Sequence, residues 1–492
     1  MSLQSPAGVS FLVSSKKPEP SYSRPWYKKR EYIVVFLIAL LYIVMIGRYR
    51  AYDLDSVWSL SFSHNYWVQH IETDTLMLQP FPFGMGGVVA FGKLPGIVQG
   101  ALLGLFGWSY AAAIGISIAF VVAALFLFAN ACGRLGYSVN FTTCAVALLG
   151  LTESFVSASQ KARGEFLTVF LLCLALWLGV RSQVALSMFF GALAAEVEPA
   201  AIVVPIAILV MLVLQHYGHK KTGRFVLRLL AGMVAAAAIY LALHPHIVTT
   251  VRTAPWGNIQ NGAFPGGFVA DYYFADKRHL PELAILVAAV VACLLRGRKQ
   301  LLLDWPALCS LAVIIVSAVI CWGNPPYFAF LSPFLCLFIL QALYSERYRN
   351  WILAGIILLT LPQYVYRFYF WQSRDAGFSR SDERQVAEKI DQVAAVEGKP
   401  ADQLRVIGNY NLWFAHPSNF TNLDRRAVND TMLNNADVIL CFEQPVDRIL
   451  EPELIAEVPC TRLSGIRSKT VAVMSLRGHR MQVRAPIHSV QP

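Results

Sequence analysis

Several short stretches carry residues whose types and spacing could do chemistry. Tyr52-Asp53-Leu54-Asp55-Ser56 sets two carboxylates at i and i+2, just beyond an apolar run where a helix would meet water. Such a carboxylate can serve as a general base, and a pair can bind a cation. Phe91-Gly92-Lys93-Leu94-Pro95 puts a lysine beside a proline-fixed turn, which suits a phosphate head group met as a point charge. Lys161-Ala162-Arg163-Gly164-Glu165 leads into the apolar run Phe166–Val180, and Glu153 ends the run before it. Arg163 could bind phosphate, and Glu165 could orient it or accept hydrogen bonds from sugar hydroxyls. Farther on, Arg252, Asp271, Tyr272, Tyr273, Lys277 and Arg278 combine cations for a phosphate with aromatic faces, hydroxyls and a carboxylate for a sugar ring.

Each stretch also has a plainer reading. The D-x-D can be a solvated loop start, and Lys93 a lysine snorkelling from an interfacial helix. Arg163 and Glu165 can be a structural pair locking two helices, and the Tyr/Lys/Arg set can anchor the membrane interface. Glu196 and Glu198, before Pro199, read as interfacial acids at a helix turn. His416, Asn419 and Asn422 read as turn residues.

The elements that must position these groups follow from composition. Of 492 residues, 56% are hydrophobic and only 14% charged, against about 45–50% and 25% in soluble domains. With a mean hydropathy of +0.50, the chain reads as a polytopic membrane protein rather than a soluble, disordered or disulfide-scaffold one. Apolar stretches fall at 32–47, 109–131, 139–157, 165–181, 184–196, 199–215, 228–244, 281–295, 303–322, 326–343 and 351–370. They predict about eleven transmembrane helices, with the termini on opposite sides.

Charge placement orients them. With residues 1–31 and every second loop in the cytoplasm, those segments hold 17 basic and four acidic residues. The opposite loops hold nine basic and eleven acidic residues, and 373–492 holds 15 of each. This is the positive-inside bias. The net charge of +11 thus records topology and contact with membrane lipids, not a nucleic-acid partner. The expected organisation is a cytoplasmic arm (1–31), a transmembrane catalytic domain (32–372) and an extracytoplasmic domain (373–492). The transmembrane part carries long external loops at 48–108 and 245–280, the first with helices lying along the interface.

The last segment predicts a small α/β domain: a helix over Asp382–Val396, then strands at Leu404–Ile407, Asp437–Phe442 and Thr470–Leu476. Cys132, Cys144, Cys173, Cys293, Cys309, Cys321 and Cys336 lie in or beside apolar runs and read as small hydrophobes. Cys441 and Cys460 stand apart and could pair in an oxidising compartment. The unusual acids and their basic companions gather on one membrane face rather than at mid-span. That favours a site opening to the external leaflet over a translocation path. A lipid or polysaccharide transporter (flippase) and a non-catalytic assembly subunit are the rival classes.

In order and topology these motifs resemble the GT-C superfamily of integral-membrane glycosyltransferases, within the protein mannosyltransferase, aminoarabinose transferase and RgtA-like group. The resemblance covers residues 30–370. It rests on the carboxylate-bearing first loop, the lysine/proline element running into Ala101-Leu102-Leu103-Gly104-Leu105-Phe106-Gly107, and Ala162-Arg163-Gly164-Glu165 opening a later span. Where relatives carry Asp-Glu, this sequence has Asp55-Ser56, with Asp53 two residues earlier; where they carry Pro-Pro after the lysine, it has Leu94-Pro95.

The resemblance implies an all-α, GT-C-like membrane domain that moves a hexose or pentose from a polyprenyl-phosphate carrier to a lipid, glycan or protein hydroxyl. The expected setting is the external face of a bacterial inner membrane, in the making of cell-envelope glycan. Asp55 or Asp53 would be the base. Lys93 and Arg163, with Arg252, Lys277 and Arg278, would meet the donor phosphate, and Glu165, Glu153, Asp271, Tyr272 and Tyr273 the sugar or acceptor. No cofactor is required; the D-x-D leaves room for a divalent cation.

Overall fold

The computed structural model describes residues 30–46, 54–70, 93–197, 208–209, 211, 222–245, 280–320, 328–370, 380–408, 410–417, 420–422, 430–443, 459–476 and 479–487. Helices dominate up to Phe370. They are α1 (Arg30–Val44), α2 (Leu54–His64), α3 (Lys93–Phe106), α4 (Tyr110–Arg134), α5 (Val139–Gly150), α6 (Glu153–Gln160), α7 (Glu165–Val180) and α8 (Val184–Val197). After these come α9 (Thr222–Leu243), α10 (Leu280–Leu295), α11 (Trp305–Ile320), α12 (Phe328–Leu343) and α13 (Arg349–Phe370). Their starts follow local chemistry. Ser109, in extended backbone, accepts from the Ala112 amide at 3.2 Å and opens α4; Ser138 does the same for Phe141 at the start of α5.

The apolar residues of these helices face both ways. Val35, Ile38 and Tyr42 of α1 are buried, yet Phe36 is 65% exposed; on α9 Leu227 and Val234 are likewise exposed. Apolar side chains turned outward along long helices are those of a protein surrounded by lipid. Among the described residues two helices, Tyr110–Arg134 and Gly223–Leu243, are long and apolar enough to cross a membrane. The number rises to four if the bent pairs Val139–Gly150 with Glu153–Gln160 (60°) and Ala329–Leu343 with Glu346–Pro362 (98°) are single spans.

The expected eleven spans are therefore not reached among the described residues. The other apolar helices, such as Glu165–Val180 and Leu280–Leu295, have 16 residues. At 1.5 Å per residue they rise about 24 Å, short of a hydrocarbon core of about 30 Å. The run 139–157 is broken because Thr152 leaves helical backbone, with ψ 143°. The carbonyls freed at that break are met by tyrosines from other helices: Tyr42 Oη donates to Gly150 O at 2.6 Å and Tyr364 Oη to Leu151 O at 2.7 Å.

From Arg380 the composition changes and so does the architecture. Helix α14 (Arg380–Glu397) buries Val386, Ile390, Val393 and Ala394, one stripe of an amphipathic helix. A helix α15 (Asp430–Asn435) and five strands follow: β1 (Val406–Ile407), β2 (Phe420–Asn422), β3 (Val438–Phe442), β4 (Ser468–Leu476) and β5 (His479–Pro486). The sheet order is β2-β1-β3-β5-β4, with β1 parallel to β2 and β3, and β5 antiparallel to β3 and β4. The helix and the three expected strands are present, whereas β2, β5 and α15 escaped the sequence reading. In β5, Arg480, Gln482 and Arg484 alternate with Met481, Val483 and Ala485, so no apolar run marks it. Cys441 and Cys460 form a disulfide, Cα to Cα 4.9 Å, and all six free cysteines among the described residues are buried.

Asp437 ties this domain together. It is 5% exposed, and its Oδ1 accepts from Lys399 Nζ at 2.7 Å and its Oδ2 from the Arg405 amide at 2.8 Å. Burial opposes its ionisation, but the Lys399 hydrogen bond, the Arg405 amide and the two cations outweigh that and hold its pKa below the usual carboxylate value. A group depressed on folding stabilises above its unfolded pKa, about 3.9, and loses that contribution as pH falls through its folded value. We expect the β1–β3 region of the full chain to lose protection against hydrogen exchange as pH drops below about 4. Asp437→Ala should cost about 2 kcal/mol at pH 7 and remove that acid response.

Candidate functional site

The site is assembled where helix ends meet. The first amides of any α-helix lack intrahelical partners and attract negative charge. At the start of α3 they are met from another helix: Glu196, in the last turn of α8, accepts from the Lys93 amide at 3.0 Å and from the Leu94 amide at 3.1 Å. The same carboxylate contacts His244 Nε2 at 2.8 Å, just past the end of α9. Lys93 Nζ in turn donates to the Leu243 carbonyl at 2.8 Å, a cation on the negative end of α9. Lys93, Glu196 and His244 are all at most 5% exposed. One helix start and two helix ends are thus locked together by one acid, one lysine and one histidine.

The Ala162-Arg163-Gly164-Glu165 turn abuts this junction. A Cβ added to Gly164 would lie 3.1 Å from Val197 Cγ1 and 3.4 Å from Pro95 Cγ, so the turn packs closely against both helices. Arg163 Nε lies 3.0 Å from Glu165 Oε1, with side chains 15% and 5% exposed. The contact is an ion pair rather than an aligned hydrogen bond, and neither Glu165 oxygen is hydrogen-bonded among the described residues. Ser117 Oγ of α4 holds the turn from behind, donating to Lys161 O at 2.8 Å.

Helix α2 closes on α3 through glycines. Side chains at Gly96 and Gly100 would collide with the rings of Phe62 and Trp67, and Trp67 Nε1 donates to Ile97 O at 2.9 Å. These contacts advance together along both helices, so the first turns of α2 and α3 lie toward the same end. Asp55 stands in the first turn of α2.

Of the residues singled out in the sequence, Arg163 and Glu165 pair with each other across Gly164, which approaches Pro95 in the helix turn that Lys93 opens. Glu153 belongs to a different junction. It opens α6, about 12 Å of helix from Arg163, and its amide donates to Glu282 of α10, a buried acid beside Thr152 and Ser332. Asp53, Arg252, Asp271, Tyr272, Tyr273, Lys277 and Arg278 lie outside the described residues, as do Glu198 and Pro199. Among the described residues no group of three or more His, Cys, Asp or Glu is placed to hold a metal ion.

Three residues were missed or undervalued. Glu196 reads in the sequence as an interfacial acid, and His244 drew no attention. Gln99, one turn after Pro95 on α3, is fully buried with neither amide atom hydrogen-bonded among the described residues. The available signal was the same for all three: a polar side chain embedded in an apolar helix or at its end.

No family model matches this chain, and no curated protein sequence does. A solved structure does match. ArnT from Cupriavidus metallidurans, crystallised with undecaprenyl phosphate bound, superposes with a TM-score of 0.59 at 13% identity, over 92% of this chain and 97% of that one. The fold is GT-C. At that identity the likeness concerns the fold alone: a mostly helical body with a small C-terminal sheet, in the same arrangement over nearly the whole of both chains.

Proposed function

We propose that this protein is a membrane glycosyltransferase that moves a sugar from a polyprenyl-phosphate carrier to a hydroxyl of a lipid, glycan or protein, at the extracytoplasmic face. The observation that carries this reading is the meeting of the Lys93 helix start with the Arg163–Glu165 turn, in a fold shared with ArnT, which was crystallised with undecaprenyl phosphate bound. The positive-inside threading and the Cys441–Cys460 disulfide, a bond that persists in oxidising compartments, support the external face.

The chemistry follows from charge. The acceptor hydroxyl attacks the anomeric carbon while an aspartate of the Asp53/Asp55 pair takes its proton. The bond from that carbon to the phosphate oxygen breaks, and the electron pair leaves with the polyprenyl phosphate. Lys93 and Arg163 are proposed to meet that charge as it develops, and stabilising it is commonly the largest catalytic contribution. Arg252, Lys277 and Arg278 are proposed as further phosphate ligands. Glu165, with Glu153, Asp271, Tyr272 and Tyr273, is proposed as the sugar and acceptor side. The reaction needs no cofactor, and a divalent cation at the D-x-D would add to the phosphate neutralisation.

Base catalysis supplies roughly 10²–10⁴-fold. Asp55→Asn or Asp53→Asn should therefore lower sugar transfer by about that factor, whichever is the base, with folding intact. The measurement is transfer by purified protein in liposomes given polyprenyl-phosphate sugars and acceptor extracted from its own membranes. Full activity in both variants refutes the assignment. Lipid-linked sugar crossing the bilayer with no transfer favours a flippase instead.

A further inference from the structure

The C-terminal domain touches the helical body through an aromatic junction that the proposed chemistry does not use. The 3-10 turn Tyr410–Ala415 presents Trp413, fully buried, and Phe414. Trp413 meets His64, the last residue of α2, edge-to-face with centroids 6.0 Å apart. On its other side His64 meets Trp108 at 4.8 Å, before α4, and Phe414 packs against Tyr110 at 6.2 Å. His64 is 5% exposed, and neither its Nδ1 nor Trp413 Nε1 has a hydrogen-bond partner among the described residues.

We propose that Trp413 and His64 form a clasp by which the C-terminal domain holds α2, and with it the Asp55 turn, in place. Trp413 is in this sense a positioning residue. The clasp concerns α2 itself, and only its catalytic consequence rests on the function proposed above. The geometry requires a neutral imidazole. A protonated ring has two donors and no acceptor, so Nδ1–H would be a buried charged donor with no acceptor among the described residues.

Burial accordingly pushes His64 down from 6.5 to about 4. The unfastened ring would take up a proton near 6.5, so between about 6.5 and 4 acid favours the open form. Titratable groups on the surrounding elements include Asp55 on α2, Tyr66 beyond it, Lys93 on α3, Tyr110 on α4, Tyr410 in the turn itself and, on α14 against that turn, Asp382, Glu383, Arg384, Glu388, Lys389 and Asp391, the last paired with His416 at 3.1 Å.

The test is hydrogen exchange of residues 54–69 in the full chain in lipid nanodiscs, with α7 as internal reference. Trp413→Ala should speed exchange there about tenfold at pH 7, whereas Trp413→Phe, which keeps a ring in place, should stay near wild type. From pH 7 to pH 5, after correction for intrinsic rates, wild-type exchange should rise and His64→Gln should stay flat, which separates His64 from His416. Unchanged exchange in Trp413→Ala overturns the clasp. So does slower exchange in acid, as a cation seated on tryptophan faces would give. Neither result bears on sugar transfer, so the two proposals fail separately.

Discussion

Glu196→Ala is expected to unfasten the α3–α8–α9 junction and to abolish function through loss of structure. The substitution strands the buried Lys93 amide and the part-buried Leu94 amide, and removes the partner of a buried histidine. Each buried group left unmet costs about 1–3 kcal/mol, so the sum is about 3–5 kcal/mol, a large part of a typical stability of 5–15 kcal/mol. His244→Ala leaves the cap on α3 intact and should cost less, about 1–2 kcal/mol. Glu196→Gln should fall between, because its amide brings a donor to a place where two backbone donors already point. Thermal unfolding and hydrogen exchange over residues 93–106 give the ranking. Equal stability of wild type and Glu196→Ala would show that the cap carries no weight.

Arg163 makes the second large case, because two effects of its removal can be told apart. Arg163→Ala leaves the Glu165 carboxylate, 5% exposed, without its cation. Breaking a buried pair from one side costs about 3–5 kcal/mol, far more than replacing both partners. Arg163→Ala with Glu165→Gln should therefore recover most of the stability. If Arg163 also meets the donor phosphate, the recovered double variant should still bind undecaprenyl phosphate about 30- to 150-fold more weakly, the equivalent of about 2–3 kcal/mol for a charged hydrogen-bonded contact. Wild-type affinity in that variant would leave Arg163 a structural residue only. Lys93→Met should act differently. It releases the Leu243 carbonyl while leaving the backbone cap on α3, so if Lys93 meets the donor phosphate as proposed, undecaprenyl phosphate binding should fall more than stability does.

The comparison between chain and fold runs along a physical divide. Hydropathy and charge act residue by residue, so the apolar runs, the positive-inside bias and the polar turn to an α/β domain near residue 380 are legible without contacts. Helix α14 and strands β3 and β4 fall close to where their patterns put them. Span number is a different matter, because it depends on where a run bends. Thr152 breaks one apolar run in a way that only Tyr42 and Tyr364, far along the chain, make tolerable.

The same divide crosses the site. The sequence by itself determined a membrane-embedded chain, the chemistry-bearing motifs and their order, because each motif is a local clustering of charge beside apolar residues. Only the tertiary structure decided which motifs meet. Pro95 and Gly164 stand 69 positions apart in the chain and meet only where the turn packs against α3 and α8. Glu196 and His244, unremarkable in the sequence, became the lock, since helix ends must find partners for backbone groups wherever packing brings them. Glu153, grouped with Arg163 on the sequence, was carried to another junction by the α6 helix between them.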